Sequence, residues 1–475
     1  MKNKSIILLI QVMLFTAFSC KKTFLDITPD SVLTESTYFR NTAEVEGGVI
    51  ACYDGLQATM QFEYKLTSLR DDDMTPYNLE GDWGALDGFY ESSGNDFVRD
   101  FWARSYNVIA RTNLVLKYID NVTDATKKNT FQGEAKFIRG HMHFNLVRLY
   151  GDVPLITERI AYDANDNFKR ISQADVYTQI ISDLQDASTN LPATWAAASK
   201  GRLTKWAAKA MLAKVYLTRK NYAGAKTLID EVIASGSYQL MPAYADVFSL
   251  STELSNEVLY AVSYKAASNG EGQQFTYEYS RNGAVKGFKP QKEIINLIIA
   301  TDLRKATSIG GTSSAPVSNK FIDATAPVRD AGNDLIIIRY SDVLLMKSEI
   351  NANLNTTALG NPAAMTTQDS LDILAPWNQV RARAGLTAKK KNSYTGLTTF
   401  IEDLFTERRI EFCFENQRWY DLLRSKTPAE IVSIMNAHFL FNARTNTMQP
   451  YQTLMPIPQR DINLSNGILT QNPGY

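Results

Sequence analysis

From Phe131 onward the apolar residues Ala135, Ile138, Met142, Leu146 and Leu149 recur at steps of three and four, and the run stops at Gly151 with Pro154 beyond. That spacing dictates an amphipathic helix with a defined end. Comparable periodicity runs over 103–119, 172–190, 203–218, 222–235, 339–353, 367–384 and 398–424. No strand-alternating block of similar length competes with it; 258–264 and 335–339 are short strands or extended connectors. A chain dominated by one period must bury its apolar stripes helix against helix.

The pair 203–235 is the most informative. Leu212, Ala213 and Tyr216, then Ala225, Ile229 and Val232, have the small-aromatic-small spacing of a tetratricopeptide unit, with Asn221-Tyr222 as its turn. One such unit cannot bury its own face, so helix pairs at 103–150 and 339–384 are expected to flank it. Between them lie Gly/Ser/Asn-rich intervals at 266–290, 306–334 and 385–396. They are too long to be simple helix connectors, and loops of this kind on a rigid scaffold are where binding concentrates.

Fifty basic residues against 50 acidic ones leave no net positive field to recruit phosphate, so nucleic acid is not an expected partner. Lys2 and Lys4 precede an apolar run from Ile6 to Phe18, shorter than the roughly 20 residues that a spanning helix needs. This is the pattern of a secretory signal over 1–19. Ala17-Phe18-Ser19-Cys20 resembles the lipobox of a bacterial lipoprotein, which makes Cys20 the lipidated residue; a plain secreted protein cut near here is the alternative. Lipid chains on Cys20 give stable anchoring, at about 0.8 kcal/mol per buried methylene. Cys52 and Cys413 sit in apolar helical patterns and read as buried thiols, with a single disulfide between them as the other option.

An ordered set of motifs resembles the SusD/RagB family of outer-membrane nutrient-binding lipoproteins. It runs from Phe24-Leu25-Asp26 and Pro29, through Glu134 to Gly140 and Leu146 to Pro154, to Asn378 to Leu386. It continues with Glu407 to Phe412, Phe414-Glu415 and Arg418 to Leu422, and closes on Pro456-Ile457-Pro458 and Gln471 to Tyr475. The resemblance implies a mainly α fold, a right-handed superhelix of tetratricopeptide-like helix pairs packed on a loop-rich irregular half. It implies one domain over 20–475, with helices at about 103–150, 172–235, 339–384 and 398–437 and ligand-facing insertions at about 60–100 and 265–335. It also implies a lipid-anchored, cell-surface protein of the outer membrane that captures a nutrient, usually a glycan. Such a protein acts as a lid on a SusC-type TonB-dependent transporter. RagB-like relatives imply peptides as another ligand class. Lys21-Lys22 follow Cys20 where an acidic cluster often stands in that family.

The residues themselves argue for binding over catalysis. His141 and His143 are two apart on a helix and point to different faces, so they do not hold a metal together; His438 stands alone. No nucleophile elbow, phosphate loop or zinc-protease pattern occurs, and no cofactor or metal is expected. Asp71-Asp72-Asp73 read as a solvated loop or a hydroxyl acceptor, with a glycosidase carboxylate at Asp73 as the enzymatic alternative. In 398–424, Glu407, Arg408, Glu411, Glu415, Arg418 and Asp421 predict an ion-pair and cap network inside the superhelix, with Arg408 to Glu411 and Glu415 to Arg418 at pairing distance.

Pyranose rings present apolar C–H faces and equatorial hydroxyls, so a sugar site wants aromatic platforms beside amide, carboxylate or guanidinium groups. The break-rich stretch 70–90 offers Arg70, Asp73, Tyr77, Trp83 and Tyr90 as candidate ligand contacts. A second candidate stretch, 269–288, offers Tyr277 and Tyr279 beside Phe275 and Arg281; alternation in an extended segment puts Phe275, Tyr277 and Tyr279 on one side. The competing expectation is that these rings only pin loops to the scaffold.

Overall fold

The computed structural model describes residues 35–160, 165–266, 270–280, 287–324, 326–327, 329–360 and 365–475. The expected signal segment over 1–19, Cys20 with its flanking motif, and Arg281 lie outside them.

The first long helix, α1 (Thr42–Ser68), starts where Asn41 accepts hydrogen bonds from the backbone of Ala43 and Glu44. After strand β1 (Met74–Pro76) and a short helix α2 (Gly81–Gly88) come α3 (Asp96–Lys117) and α4 (Ala125–Tyr150). α5 (Gln173–Asn190), α6 (Lys205–Thr218) and α7 (Tyr222–Ala234) continue the stack. Each of these long helices packs on the next: α1 on α3, α3 on α4, and so on to α7. Thr204 and Asn221 cap α6 and α7 by accepting from Ala207 N and Gly224 N. The expected face of α4 is fully buried, and so is most of its circumference from Phe131 to Tyr150, as for a helix enclosed on all sides.

β2 (Val258–Val262) leads to the irregular half, with helix α8 (Phe275–Ser280) and strands β3 (Phe288–Pro290), β4 (Ile309–Gly311), β5 (Pro316–Ser318) and β6 (Leu335–Arg339). The strands form three antiparallel pairs, β1 with β3, β2 with β6 and β4 with β5. The β2–β6 pair joins the two short stretches that the sequence leaves between strand and connector. The helical stack resumes with α9 (Tyr340–Leu354), which packs on α7, then α10 (Thr367–Ile373), α11 (Ala375–Arg383) and α12 (Leu397–Glu411). α13 (Arg418–Ser425), α14 (Pro428–Phe441) and α15 (Gln459–Leu464) complete the helices that matter here. The fold is mainly α, with a main core that runs through both halves and a smaller one around Trp377, Tyr394 and Phe400.

Three expectations are corrected. The insertion assigned to about 60–100 begins inside α1, whose helix persists to Ser68. The continuous helix over 398–424 is two, because the chain turns between α12 and α13 with Phe414 and Asn416 at positive φ. Residues 275–280 are helical, not extended, so the period is 3.6 and Phe275 and Tyr279, four apart, share the core-facing side.

The turn after α12 serves a buried charge network, and its partners are not the sequence neighbours. Glu411 accepts from Arg304 at 2.9 Å and Arg339 at 2.5 Å and also pairs with Arg383. Burial works against its charge, yet Arg383, Arg339 and Arg304 together hold its carboxyl well below the ordinary range. Glu415 pairs with Lys320 and Arg339, each at 2.8 Å. Arg408 reaches Asp342 and Asp421, both at 2.8 Å, and Arg418 reaches Asp72 at 2.7 Å. The network expected inside the superhelix is present, while Arg408–Glu411 and Glu415–Arg418 are not among its pairs.

His141 and His143 are buried: Tyr260 pairs with His141 Nδ1 at 3.1 Å, and His143 Nδ1 donates to the Arg139 carbonyl at 3.1 Å. Desolvation pulls both rings down to about 3, so they are neutral at physiological pH. His438 lies beside Glu293 at 2.7 Å. Cys52 and Cys413 are separate buried thiols, with burial pushing Cys52 up to about 12.

Candidate functional site

β1 is followed by Tyr77, whose amide donates to the Gly287 carbonyl at 2.9 Å and extends the β1–β3 pairing. The chain then folds back through 78–80 into α2. This return is tight enough that a Cβ on Gly84 would lie 1.8 Å from the Leu79 carbonyl oxygen, so only glycine fits. Phe89, at φ 56°, closes α2 in the left-handed region.

α2 thereby sets Trp83 edge-on to Phe97 of α3, 5.4 Å between centroids, and 4.8 Å from Phe288 of β3. Phe62 of α1 joins them, and the Lys65 ammonium lies 5.1 to 5.5 Å from the rings of Phe62, Tyr64, Trp83 and Phe97. Lys65 is held there by Glu278 at 3.5 Å, which also accepts from the Tyr64 hydroxyl. The exposed Arg104 guanidinium sits 4.6 Å from the Phe62 ring, and Lys289 lies 5.3 Å from Tyr77. Phe62, Trp83 and Phe97 are only half-buried. The result is a shelf of aromatic rings around a buried cation, edged by the exposed Arg104 guanidinium. Flat rings of this kind can stack on apolar ligand faces while amide and guanidinium groups donate to hydroxyls.

Of the residues singled out in the sequence, Trp83 stands in this shelf, while Tyr77, with Lys289 beside its ring and its hydroxyl donating to the Pro316 carbonyl at 3.3 Å, lies at the neighbouring end of the β1–β3 pair. Tyr90, 55% exposed, stands at the outer edge of the same segment with its hydroxyl on the Leu79 carbonyl at 3.1 Å. Tyr277 is nearly buried with Arg329 5.9 Å from its ring. Three others are built into the interior. Arg70 is sandwiched between Phe89 and Trp419 and donates to Glu91 and the Gln452 carbonyl. Tyr279 pairs with Ser68 at 2.9 Å and Asn416 at 3.2 Å. Asp73 accepts from Arg409 at 2.6 Å.

The Asp triplet is therefore not solvated. Although burial opposes it, Arg409 and Arg418 hold Asp72 well below the carboxylate range. Asp71, buried and beside Asp73, is pushed well above it while accepting from the Asp73 and Met74 amides. A carboxylate locked at zero exposure cannot reach a glycosidic bond. Phe62, Phe97, Arg104 and Lys289 were not singled out in the sequence. Phe97 and Arg104 are seven apart, two turns along one helix face, which is the signal that places them together. Among the described residues, no His/Cys/Asp/Glu cluster has metal-holding geometry, and no helix is long and apolar enough to cross a membrane.

Two family models match the chain: residues 23–217 match one described as "Starch-binding associating with outer membrane", and residues 273–475 match the SusD family. "SusD-like protein P2" of Formosa agariphila is 26% identical over 98% of both chains. A "SusD-like protein" of Bacteroides ovatus is 24% identical over 89% of this chain and 82% of its own. Among solved structures, a "Laminarin binding SusD-like protein" superposes with a TM-score of 0.76 at 24% identity, covering 92% of this chain and all of that one. The "Surface glycan-binding protein A from Bacteroides fluxus" gives 0.75 at 22% identity over 90% and 99%. Matched toward both ends by models of one family and along its length by relatives, this chain belongs to the SusD/RagB family.

Proposed function

We propose that this protein binds a glycan at the outer membrane and hands it, as a lid, to a SusC-type TonB-dependent transporter, without cleaving it. The observation that carries the reading is the shelf of half-buried rings at Phe62, Trp83 and Phe97 around the Lys65 ammonium, with the exposed Arg104 beside Phe62. Tyr77 and Tyr90 flank Trp83 in the same segment. The description of one family model, starch-binding and associating with the outer membrane, supports both ligand class and location. Laminarin binding by one structural relative supports the ligand class again. Lipid attachment at Cys20 would supply the tether. In the mechanism, ligand contacts to lid and barrel together favour the closed pair, and the empty pair reopens.

Calorimetric titration with laminarin, starch, xylan and mannan tests the site. Trp83→Ala is expected to weaken the best ligand at least tenfold, or about 1.4 kcal/mol, in protein whose circular dichroism shows that it is still folded. Wild-type affinity in both Trp83→Ala and Phe97→Ala would falsify the site, and release of shorter products from the best ligand would overturn the non-catalytic reading. Pull-down from the host membrane should bring a TonB-dependent barrel; recovery of the lid alone counts against the partnership.

A further inference from the structure

A second groove, of about 430 Å³, opens between the connection leading into α6, the connection from α7 to β2, and β2 itself. It shares no residue with the shelf. Its volume falls in the roughly 300–1,000 Å³ range of small-molecule sites. Trp195 lines it and is held in place twice: its Nε1 donates to the Leu203 carbonyl at 2.9 Å, and the Arg202 guanidinium lies 4.4 Å from its ring. Arg202 is itself engaged by Glu46 at 2.8 Å and Glu134 at 2.6 Å. Tyr238 is half-buried in the same groove, with its hydroxyl on Thr204 Oγ1 at 3.3 Å.

The polar lining is what distinguishes this groove from a packing defect. Ser255 Oγ is buried without a hydrogen-bond partner among the described residues, and a buried orphan hydroxyl calls for an explanation. Asn256 and Thr194 stand exposed at the rim. No carboxylate is among the described residues that line the groove, so a cationic ligand finds no counter-charge, and the exposed Lys200 can donate to a ligand hydroxyl. Two fixed rings, a waiting hydroxyl and an amide suit a neutral polyhydroxylated ring.

We propose that the Trp195–Tyr238 groove is a second, independent carbohydrate-binding site that takes a short segment of a neutral glycan. It shares only a ligand class with the shelf, and either site can exist without the other.

The test is fluorine NMR on the full chain labelled with 5-fluorotryptophan, titrated with laminarihexaose, maltohexaose and xylohexaose. The Trp195 resonance, assigned by Trp195→Phe, is expected to shift saturably with at least one of them, and equally in Trp83→Ala. Ser255→Ala should weaken that response about three- to tenfold, and Tyr238→Ala more, while the Trp83 resonance titrates as before. A Trp195 signal unmoved by all three sugars overturns this inference and leaves the shelf untouched. A shift at Trp195 with none at Trp83 does the reverse. Unchanged affinity in both Ser255→Ala and Tyr238→Ala, or movement of Trp195 by casein peptides with the sugars silent, also overturns it.

Discussion

Around Glu411, arginines meet carboxylates in a closed cage: Arg304, Arg339 and Arg383 surround one carboxylate, and Lys320 and Glu415 complete the shell out of water. On the shelf, cations meet rings instead, and Phe62, Trp83 and Phe97 remain partly open to solvent. The two regions use similar residue types for opposite ends. In the cage each charge is compensated by protein, so the energy goes into one fixed arrangement of α12, the turn and α13. On the shelf the protein covers the rings only in part, and the rest of their surface faces solvent.

That contrast is breakable. Glu411→Ala removes the carboxylate shared by three buried guanidinium groups, which keep only Asp302 and Glu407, Glu257 and Glu415, and Glu257 respectively, and should cost about 3 kcal/mol, seen as a large drop in the urea midpoint; a loss under 1 kcal/mol would mean that the remaining carboxylates compensate the cage without it. The same residue type separates the regions more sharply. Arg70→Ala leaves Glu91 buried without its guanidinium partner and should lose several kcal/mol, on the order of 3, whereas Arg104→Ala should leave stability unchanged and lower glycan affinity. Equal melting temperatures for the two variants would erase the distinction.

Acid should find the interior first. His141 and His143 titrate near 3 in the folded protein against about 6.5 when unfolded, so the unfolded state binds more protons between those values. Their contribution is complete above pH 6.5 and is lost as pH falls, at about 1.4 kcal/mol per pH unit for each ring. His143→Leu should flatten that slope in denaturant titrations between pH 6.5 and 4.5, and an unchanged slope would show that the ring is protonated in place. The smallest effect is a silence: Cys52 and Cys413 should ignore a thiol reagent in the native state and both react in urea. A peptide map carrying a 52–413 disulfide would contradict their separation.

The repeats were legible because periodicity is local: the α6–α7 unit and the buried stripe of α4 follow from residues three and four apart. What the chain hid was long-range. Arg409 pairs with Asp73 across 336 positions, and nothing near residue 73 signals that its carboxylate is already spoken for. Tyr279 failed for another reason: three rings at alternate positions fit a strand or a helix equally over so short a run, and the helix pointed Phe275 and Tyr279 inward. In the shelf, Trp83 could be suspected from its loop, but Phe62 and Phe97 come from two helices that only tertiary packing brings together around Lys65.

Glu46 and Tyr53 of α1 reach toward the Trp195 groove, while Phe62 and Lys65 of the same helix build the shelf. At about 1.5 Å per residue, 9 to 19 residues of unbroken helix separate those contacts by roughly 14 to 29 Å. If both grips take sugar, α1 is a ruler: fragments shorter than its span occupy one end or the other, and longer ones can bridge both. Selection by cargo length would then follow from a rod that does not bend, with no third contact to measure it.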